Sequence, residues 1–386
     1  MNAPLPSELR QDLVQRGFSR RSFGRFAALI TAGATLPFYN ESALAQGLSA
    51  MRGNIPADAV RINANENPLG PCPEAAEAIY GIVKKGGRYL YEETFGFTDL
   101  QAELEGLKTK YVLPYAGSSA PLHQAVMAFT SPSRPLVMGE PGYEAADKAA
   151  RFVGAKVIKV PLTKDTYAHD VKAMLKASPD AGCYYICSPN NPTGTLTART
   201  DIEWLLANKP AGSIVLLDEA YIHLSGAAPA SDLVAADKDI IILRTFSKLY
   251  GMAGLRAGAA FGRPDLLAKI QPYGAGALPV TGMVGATASL KVSKTLVPER
   301  RAYIGGVRDD VSSWLTSKKI PFVPSVSNKI MIDTGRPGTE VFAAMVKENV
   351  VIGRTWPAWP TYVRVSIGTR EEMAKFKVAF AKVMNV

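Results

Sequence analysis

The chain has 386 residues, is 47% hydrophobic and carries a formal net charge of +10, which is long enough for a large and a smaller domain around a substantial core. No dense Lys/Arg tract and no aromatic nucleic-acid motif accompanies the basic balance, so it reads as solvation and argues against a nucleic-acid partner. Three cysteines leave an odd thiol in any disulfide framework, Cys183 and Cys187 lie too far apart on a strand-like run to bridge, and His123, His169 and His223 show no ligand spacing, so no metal site is expected.

The first element in chain order is a leader. Ser19-Arg-Arg-Ser-Phe-Gly-Arg25, the apolar run 26–36 and Ala43-Leu-Ala45 before Gln46 follow the order of a basic region, an apolar region and a cleavage site. The apolar run is too short to span a membrane, so no stable membrane insertion is expected. The pattern resembles a twin-arginine export signal. That implies removal of residues 1–45 by cleavage after Ala45, the export machinery as a partner, and a periplasmic location.

Next come Asn63-Ala-Asn-Glu-Asn-Pro-Leu-Gly70 and the pair Arg88-Tyr89, then the small-residue loop Tyr115-Ala-Gly-Ser-Ser-Ala-Pro-Leu122. That loop opens onto a helical pattern through Leu122, Ala125, Val126 and Phe129. Free amides at a helix start point at an anion, which puts Gly117, Ser118, Ser119 and Ala120 around one. Apolar runs at 136–138, 156–160, 183–187, 214–217, 240–243 and 257–261 alternate with helical stretches, an α/β pattern with a mostly parallel sheet. Glu140-Pro-Gly-Tyr143 makes a turn after the first of these runs.

Run 183–187 leads into Ser188-Pro-Asn-Asn-Pro-Thr-Gly194, a turn fixed by two prolines and a glycine. Run 214–217 ends in Asp218, at the carboxyl end of a strand, where open parallel sheets bind ligands, with Tyr221 three residues on. Run 240–243 leads into Arg244-Thr-Phe-Ser-Lys-Leu-Tyr-Gly-Met-Ala-Gly-Leu-Arg256. The Lys248 amine can condense with an aldehyde while Thr245, Ser247 and Arg256 supply donors and charge for a phosphate, an anchor suited to pyridoxal phosphate.

The last hundred or so residues mix helix and short strands. Residues 362–369 alternate with period two, putting Val363, Val365 and Ile367 on the core side and Arg364 and Ser366 on the other, where the arginine faces a substrate anion. Arg354, after the strand run 349–352, is a candidate second clamp for a carboxylate or phosphate. Trp356 and Trp359 between them are candidates for an aromatic side-chain pocket.

From about Ile62 to the C terminus these motifs resemble, in this order, the fold-type I pyridoxal-phosphate aminotransferases of class I/II. Segment 63–70 and Arg88-Tyr89 resemble the histidinol-phosphate branch. The resemblance implies a large domain with a mostly parallel sheet plus a smaller α+β C-terminal domain. The expected division is an arm at 46–75, the large domain at 76–285 and the small domain at 286–386.

The resemblance also implies roles. Lys248 would hold pyridoxal 5'-phosphate covalently and, once displaced by the substrate amine, move the Cα proton. Asp218 would keep the ring nitrogen protonated, Asn191 and Tyr221 would bond the ring oxygen, and Tyr143 would stack on the ring. Gly117, Ser118, Ser119, Ala120, Thr245, Ser247 and Arg256 would hold the phosphate, a loop that lacks the acidic residue relatives often carry. Tyr89 would reach the cofactor phosphate of a neighbouring subunit, which implies a homodimer. Asn67 in the arm, Arg364 and Arg354 would meet the substrate.

The expected reaction is ping-pong transfer of an amino group from an amino acid or amino-alcohol phosphate donor to a 2-oxo acid acceptor. Two alternatives stay open: a decarboxylase of an amino acid phosphate on the same scaffold, and an exported amine- or cofactor-binding protein without turnover. A transcription factor built on this domain is disfavoured by the export signal and the lack of a DNA-binding extension.

Overall fold

The computed structural model describes residues 11, 13–19, 56, 58–273 and 276–386. Arg20, Arg21 and the cleavage position after Ala45 lie outside the described residues. The strands in chain order are β1 (Val60–Ile62), β2 (Val112–Tyr115), β3 (Leu136–Glu140), β4 (Val157–Pro161), β5 (Cys183–Cys187), β6 (Ile214–Asp218), β7 (Ile240–Thr245), β8 (Gly258–Gly262), β9 (Phe322–Val323), β10 (Lys329–Asp333), β11 (Val350–Ile352) and β12 (Tyr362–Ser366).

Seven of them form the central sheet, in the order β2-β8-β7-β6-β5-β3-β4. The strands from β7 through β4 run parallel, and β8 is antiparallel to both β7 and β2. Every residue of β5, β6, β7 and β8 is buried. That is why these runs are continuously apolar, since a sheet covered by helices on both faces has no wet side to alternate toward. The sheet brings the carboxyl ends of β5 and β6 together, with Cys187 opposite Asp218 in register.

The runs expected to end at residues 217 and 243 continue through Asp218 and Thr245, because both backbones stay in the ladder. Edge strand β2 was not legible, being short and carrying Pro114, which cannot donate to a ladder.

The helix Val280–Lys291 packs on the helices Pro73–Val83 and Tyr91–Leu104 of the large unit. A side-chain carbon at Gly285 would lie 2.8 Å from Ile79, so this glycine sets how closely the helices approach. The boundary expected at 285/286 therefore falls inside a helix of the large unit, and the chain leaves it at Val292 instead. The long helix Ser293–Ser317 leads into the smaller unit, where β12-β10-β9 form an antiparallel sheet. The closing helix Arg370–Met384 starts from a capping box in which Thr369 and Glu372 exchange hydrogen bonds.

The arm departs from its expected span in two ways. Its strand β1 pairs in parallel with β11 of the smaller unit, Val60 opposite Val350, and the helix Pro73–Val83 begins within residues 46–75. Upstream, Leu13 and Phe18 are buried in the main core. Arg16 donates to the carbonyls of Met127 at 3.0 Å and Ala128 at 2.8 Å, at the end of the helix Ser119–Phe129. Cations suit that position because helix carbonyls end there without intrahelical partners.

His169 gives the fold a pH dependence. It is 2% exposed, and its Nε2 lies 3.2 Å from the Cys187 carbonyl and 3.3 Å from the Cys187 N–H. Burial pushes its pKa down to about 4. The unfolded ring titrates near 6.5, so as pH falls the unfolded chain binds the proton first. Stability is complete above about pH 6.5 and declines from there toward about 4. Urea denaturation at pH 7.5 and pH 5 should show a loss of about 2 kcal/mol from this group. His169→Gln should lack that part of the difference, and an equal pH dependence in the variant would refute the assignment.

Candidate active site

A cavity of about 250 Å³ opens at the carboxyl ends of β5, β6 and β7. Its floor is Asp218, only 3% exposed, whose Oδ2 accepts from the Tyr185 hydroxyl at 2.9 Å and whose Oδ1 accepts from the Ala220 N–H at 3.1 Å. Burial pushes the Asp218 carboxyl above its ordinary pKa, while the Tyr185 hydrogen bond and the charges of Lys248 and Lys329 pull the other way. Burial beside Asp218 also holds the Tyr185 phenol well above its usual range, so it remains the donor. A buried carboxylate of this kind favours a cationic partner.

One wall carries Lys248, three residues past the end of β7. Its Nζ donates to the Ala64 carbonyl at 3.4 Å and lies 5.6 Å from the centroid of the Tyr221 ring. The Tyr221 hydroxyl accepts from Asn65 Nδ2 at 3.0 Å. Asn191, in the turn after β5, accepts at Oδ1 from Arg364 Nη1 at 2.9 Å. Tyr143 also lines the space.

The opposite end is built for an anion. The helix Ser119–Phe129 points its first turn into the cavity, with Ser118 and Ser119 on the lining and Ala120 inside that turn. Arg256 closes the same end, donating to Ala116 O at 3.0 Å, Ala253 O at 2.7 Å and Ser247 Oγ at 3.3 Å. Thr245 and Ser247 are tied together, since the Ser247 N–H donates to Thr245 Oγ1 at 3.1 Å. Burial lowers the proton affinity of Arg256 from its ordinary value. Gly117 has a left-handed φ of 91°, and a side-chain carbon there would lie 2.3 Å from Arg256 Nη2, so the loop needs glycine for both conformation and space.

Other expected residues lie elsewhere. Asn67 ties the arm to the lysine loop, donating to Leu249 O at 2.8 Å and accepting from the Leu69 N–H at 3.1 Å, while the buried Asn65 bonds Tyr221 and Asn191 and the arm meets the cavity through Ala64 and Glu66. Arg364 is 1% exposed and spans from Asn191 to the Asn63 carbonyl, 2.6 Å from Nη2. Arg354 forms a two-point pair with Glu144, Nη1 to Oε1 at 2.7 Å, and packs over Trp356, its charge answered within the protein. Trp356 is buried under both arginines, and Trp359 packs on Tyr167 and Tyr362, so neither tryptophan is on the cavity lining. Tyr89 is 70% exposed, stacked on Tyr91 and outside this chain's own cavity lining.

Sequence reasoning passed over Asn65, Tyr185 and Lys329. Only Tyr185 left a signal, since it sits next to Tyr184 in the run that leads to the Asn191 turn.

The donor set fits pyridoxal phosphate: an amine, a buried carboxylate for a ring nitrogen, and a helix start with hydroxyls and a guanidinium for a phosphate. Residues 57–380 match the family model described as Aminotransferase class I and II. The chain belongs to that family. The histidinol-phosphate aminotransferase 1 of Nitrosococcus oceani is 32% identical to it over 327 residues, spanning 82% of this chain and 87% of that protein. The histidinol-phosphate aminotransferase of Moorella thermoacetica is 30% identical, spanning 85% and 86%. The structure of histidinol-phosphate aminotransferase from Sinorhizobium meliloti in complex with pyridoxal-5'-phosphate has the same fold, with a TM-score of 0.78 at 23% identity, covering 95% of this chain and 99% of that one. The chain is an aminotransferase that uses pyridoxal phosphate, with the fold-type I architecture.

Gly117→Ala tests the anion end. The added methyl displaces Arg256 and strains the loop, so the holoprotein should fold but bind its cofactor roughly ten- to a hundred-fold more weakly, the loss expected for one charge-assisted contact. Cofactor titration by fluorescence quenching measures this. Unchanged affinity would show that Arg256 does not hold the phosphate.

Proposed function

We propose that this aminotransferase takes its amino group from histidinol phosphate or a related amino acid and passes it to a 2-oxo acid, with Lys248 as the residue that bears the cofactor and moves the proton. The observation that carries this reading is the convergence of Lys248, Asp218, Tyr221 and Asn191 on a cavity whose far end is the anion site of Ser118, Ser119 and Arg256. When bound, pyridoxal phosphate supplies an aldehyde for the substrate amine and a ring that takes up the electron pair left at Cα. Asp218, oriented by Tyr185 and Ala220, would accept from the ring nitrogen and keep it protonated. Tyr221 and Asn191, both bonded by Asn65, would hold the ring oxygen. Lys248, once its amine is displaced by substrate, would take the proton from Cα and deliver it to the carbon that had carried the cofactor's aldehyde.

Histidinol phosphate is favoured because the relatives at 30% and 32% identity carry that name. The pairing of Arg354 with Glu144 leaves Arg364 as the arginine this reading assigns to substrate. Tyr80, Tyr89 and Phe95, on or beside the helices Pro73–Val83 and Tyr91–Leu104, are large apolar side chains exposed by 77%, 70% and 64%, a candidate meeting surface. Two copies meeting on this surface would let Tyr89 serve the partner's phosphate site.

Export is part of the same proposal. Ser19-Arg-Arg-Ser-Phe-Gly-Arg25 follows directly on Leu13, Arg16 and Phe18, which pack on the folded large unit. On the twin-arginine reading the chain would fold and take up its cofactor before transport.

A half-reaction screen tests the catalytic reading. Histidinol phosphate should abolish the lysine-linked absorbance of the bound cofactor faster than aromatic amino acids do, and Lys248→Ala should lose several orders of magnitude in turnover while still binding the cofactor. Near-normal transamination by Lys248→Ala, or borohydride trapping of the cofactor on another lysine, would remove Lys248 from this role.

Cell fractionation tests export. The wild-type chain should be cut after Ala45 and lie outside the cytoplasm, whereas Arg20→Lys with Arg21→Lys should hold a folded precursor inside. An uncut cytoplasmic wild-type chain would end this part of the proposal.

A further inference from the structure

Lys329 opens β10 and is completely buried. Its position follows from register. Lys329 lies opposite Ser366, and Met331 opposite Arg364, in the antiparallel pair of β10 and β12. Directly opposed residues share a sheet face, so Lys329, Ser366 and Arg364 stand together on the side turned toward the large unit. Ser366 Oγ accepts from the Asn65 N–H at 2.8 Å, which fixes that face against the arm.

From there Lys329 Nζ donates to Ser327 Oγ at 2.9 Å and sits 3.2 Å from the centroid of the Tyr221 ring. The Lys248 amine lies 5.6 Å from the centroid of the same ring. Two ammonium groups thus share one phenol, one from each unit of the chain.

We propose that Lys329 is a positioning residue whose positive charge, seated on Tyr221, lowers the proton affinity of the Lys248 amine. The inference rests on the reading that Lys248 bears the cofactor. An amine must be neutral to attack an aldehyde or to accept a proton, and an ordinary lysine is protonated at neutral pH. A like charge nearby disfavours that protonated form. Attraction to the ring face offsets part of the cost of burying the Lys329 ammonium.

The other charged groups around the Lys248 amine act in both directions. The carboxylates of Asp218 on β6 and of Glu66 in the arm favour protonation, while Arg256 at the anion end and Arg364 on β12 oppose it. Tyr143, Tyr221 and Cys187 are the remaining titratable groups on this space and Tyr185 bonds Asp218 beside it, and burial keeps Tyr185 and Cys187 uncharged at working pH. Removing the Lys329 charge leaves this set in place and tips the balance toward a protonated Lys248.

The test is a pH titration of the bound cofactor's absorbance in the holoenzyme, compared across wild type, Lys329→Met, Lys329→Gln and Lys329→Arg, with near-UV circular dichroism confirming the fold. The midpoint should rise by about one unit, a tenfold gain in proton affinity, in the neutral variants. It should stay near the wild-type value in Lys329→Arg. Cofactor capture by the apoprotein should slow near neutral pH in the neutral variants and recover at higher pH, a pattern that loss of packing alone does not produce. An unchanged midpoint in either folded neutral variant overturns the proposal, as does an equal rise in Lys329→Arg. If both neutral variants fail to fold while Lys329→Arg folds, the charge serves the structure and the proposal also falls. Borohydride trapping in each form separates the two readings: cofactor found on a lysine other than Lys248 defeats the underlying assignment whatever the midpoints show.

Discussion

The site is organised around a carboxylate that the fold has taken out of water. Asp218 sits at the carboxyl end of a fully buried strand, where ionisation is costly unless positive charge and donors answer it. Tyr185 reaches it from the neighbouring strand, Ala220 donates from the turn that follows, and Lys248 and Lys329 bring charge. Parallel strands make this possible, since they all end on the same edge and can deliver Tyr185, Asp218 and Lys248 from three successive strands. A pyridinium placed against Asp218 would complete the pairing that burial demands, which is why the same carboxylate can hold the electronic part of the chemistry.

The arm acts as the suture between the two units. Its strand β1 joins the smaller unit through β11. A few residues on, Asn63 O accepts from Arg364, Asn65 bonds Tyr221 and Ser366, and Asn67 bonds Leu249 beside the lysine. Residues 63–67 therefore touch the large unit, the smaller unit and the lysine loop within a span of five positions. Movement of the smaller unit relative to the sheet would be felt at Tyr221 and Asn191 through this segment, so the positions of Arg364, Tyr221 and Asn191 are mechanically linked. One consequence is that Arg364→Ala cannot be a pure substrate-binding change, because Asn191 loses a donor at the same time.

Much of this site was legible because its residues lie next to punctuation in the sequence. Asp218 ends an apolar run, Asn191 sits in a proline-fixed turn, and Lys248 and Arg256 flank a glycine-rich loop, so strand ends and ligand groups are neighbours in the chain. What stayed illegible depends on contacts between distant segments. Asn65 and Asn67 differ by one period of a strand-like segment, and only the packed arm shows that Asn65 bonds Tyr221 and Asn191 while Asn67 pins a turn. Arg354 looked like a clamp because Glu144, 210 positions away, could not be seen as its partner. Nothing in the sequence singles out Lys329, since only the register places it opposite Ser366 and against the Tyr221 ring. The boundary near residue 285 failed for a related reason, since a helix in the middle of the chain belongs with one at 73–83.

Charge around the cavity also links folding to loading. Lys248, Lys329, Arg256 and Arg364 bring positive charge to a space where Asp218 is the buried carboxylate, and desolvation weighs on this set, lowering the proton affinity of Arg256. A cofactor phosphate at the helix start and an anionic substrate near Arg364 would each answer part of that excess. Anything that binds the folded chain and not the unfolded one stabilises it in proportion to the logarithm of its concentration over its dissociation constant. The apoprotein is therefore the less stable form, and cofactor loading and folding support each other.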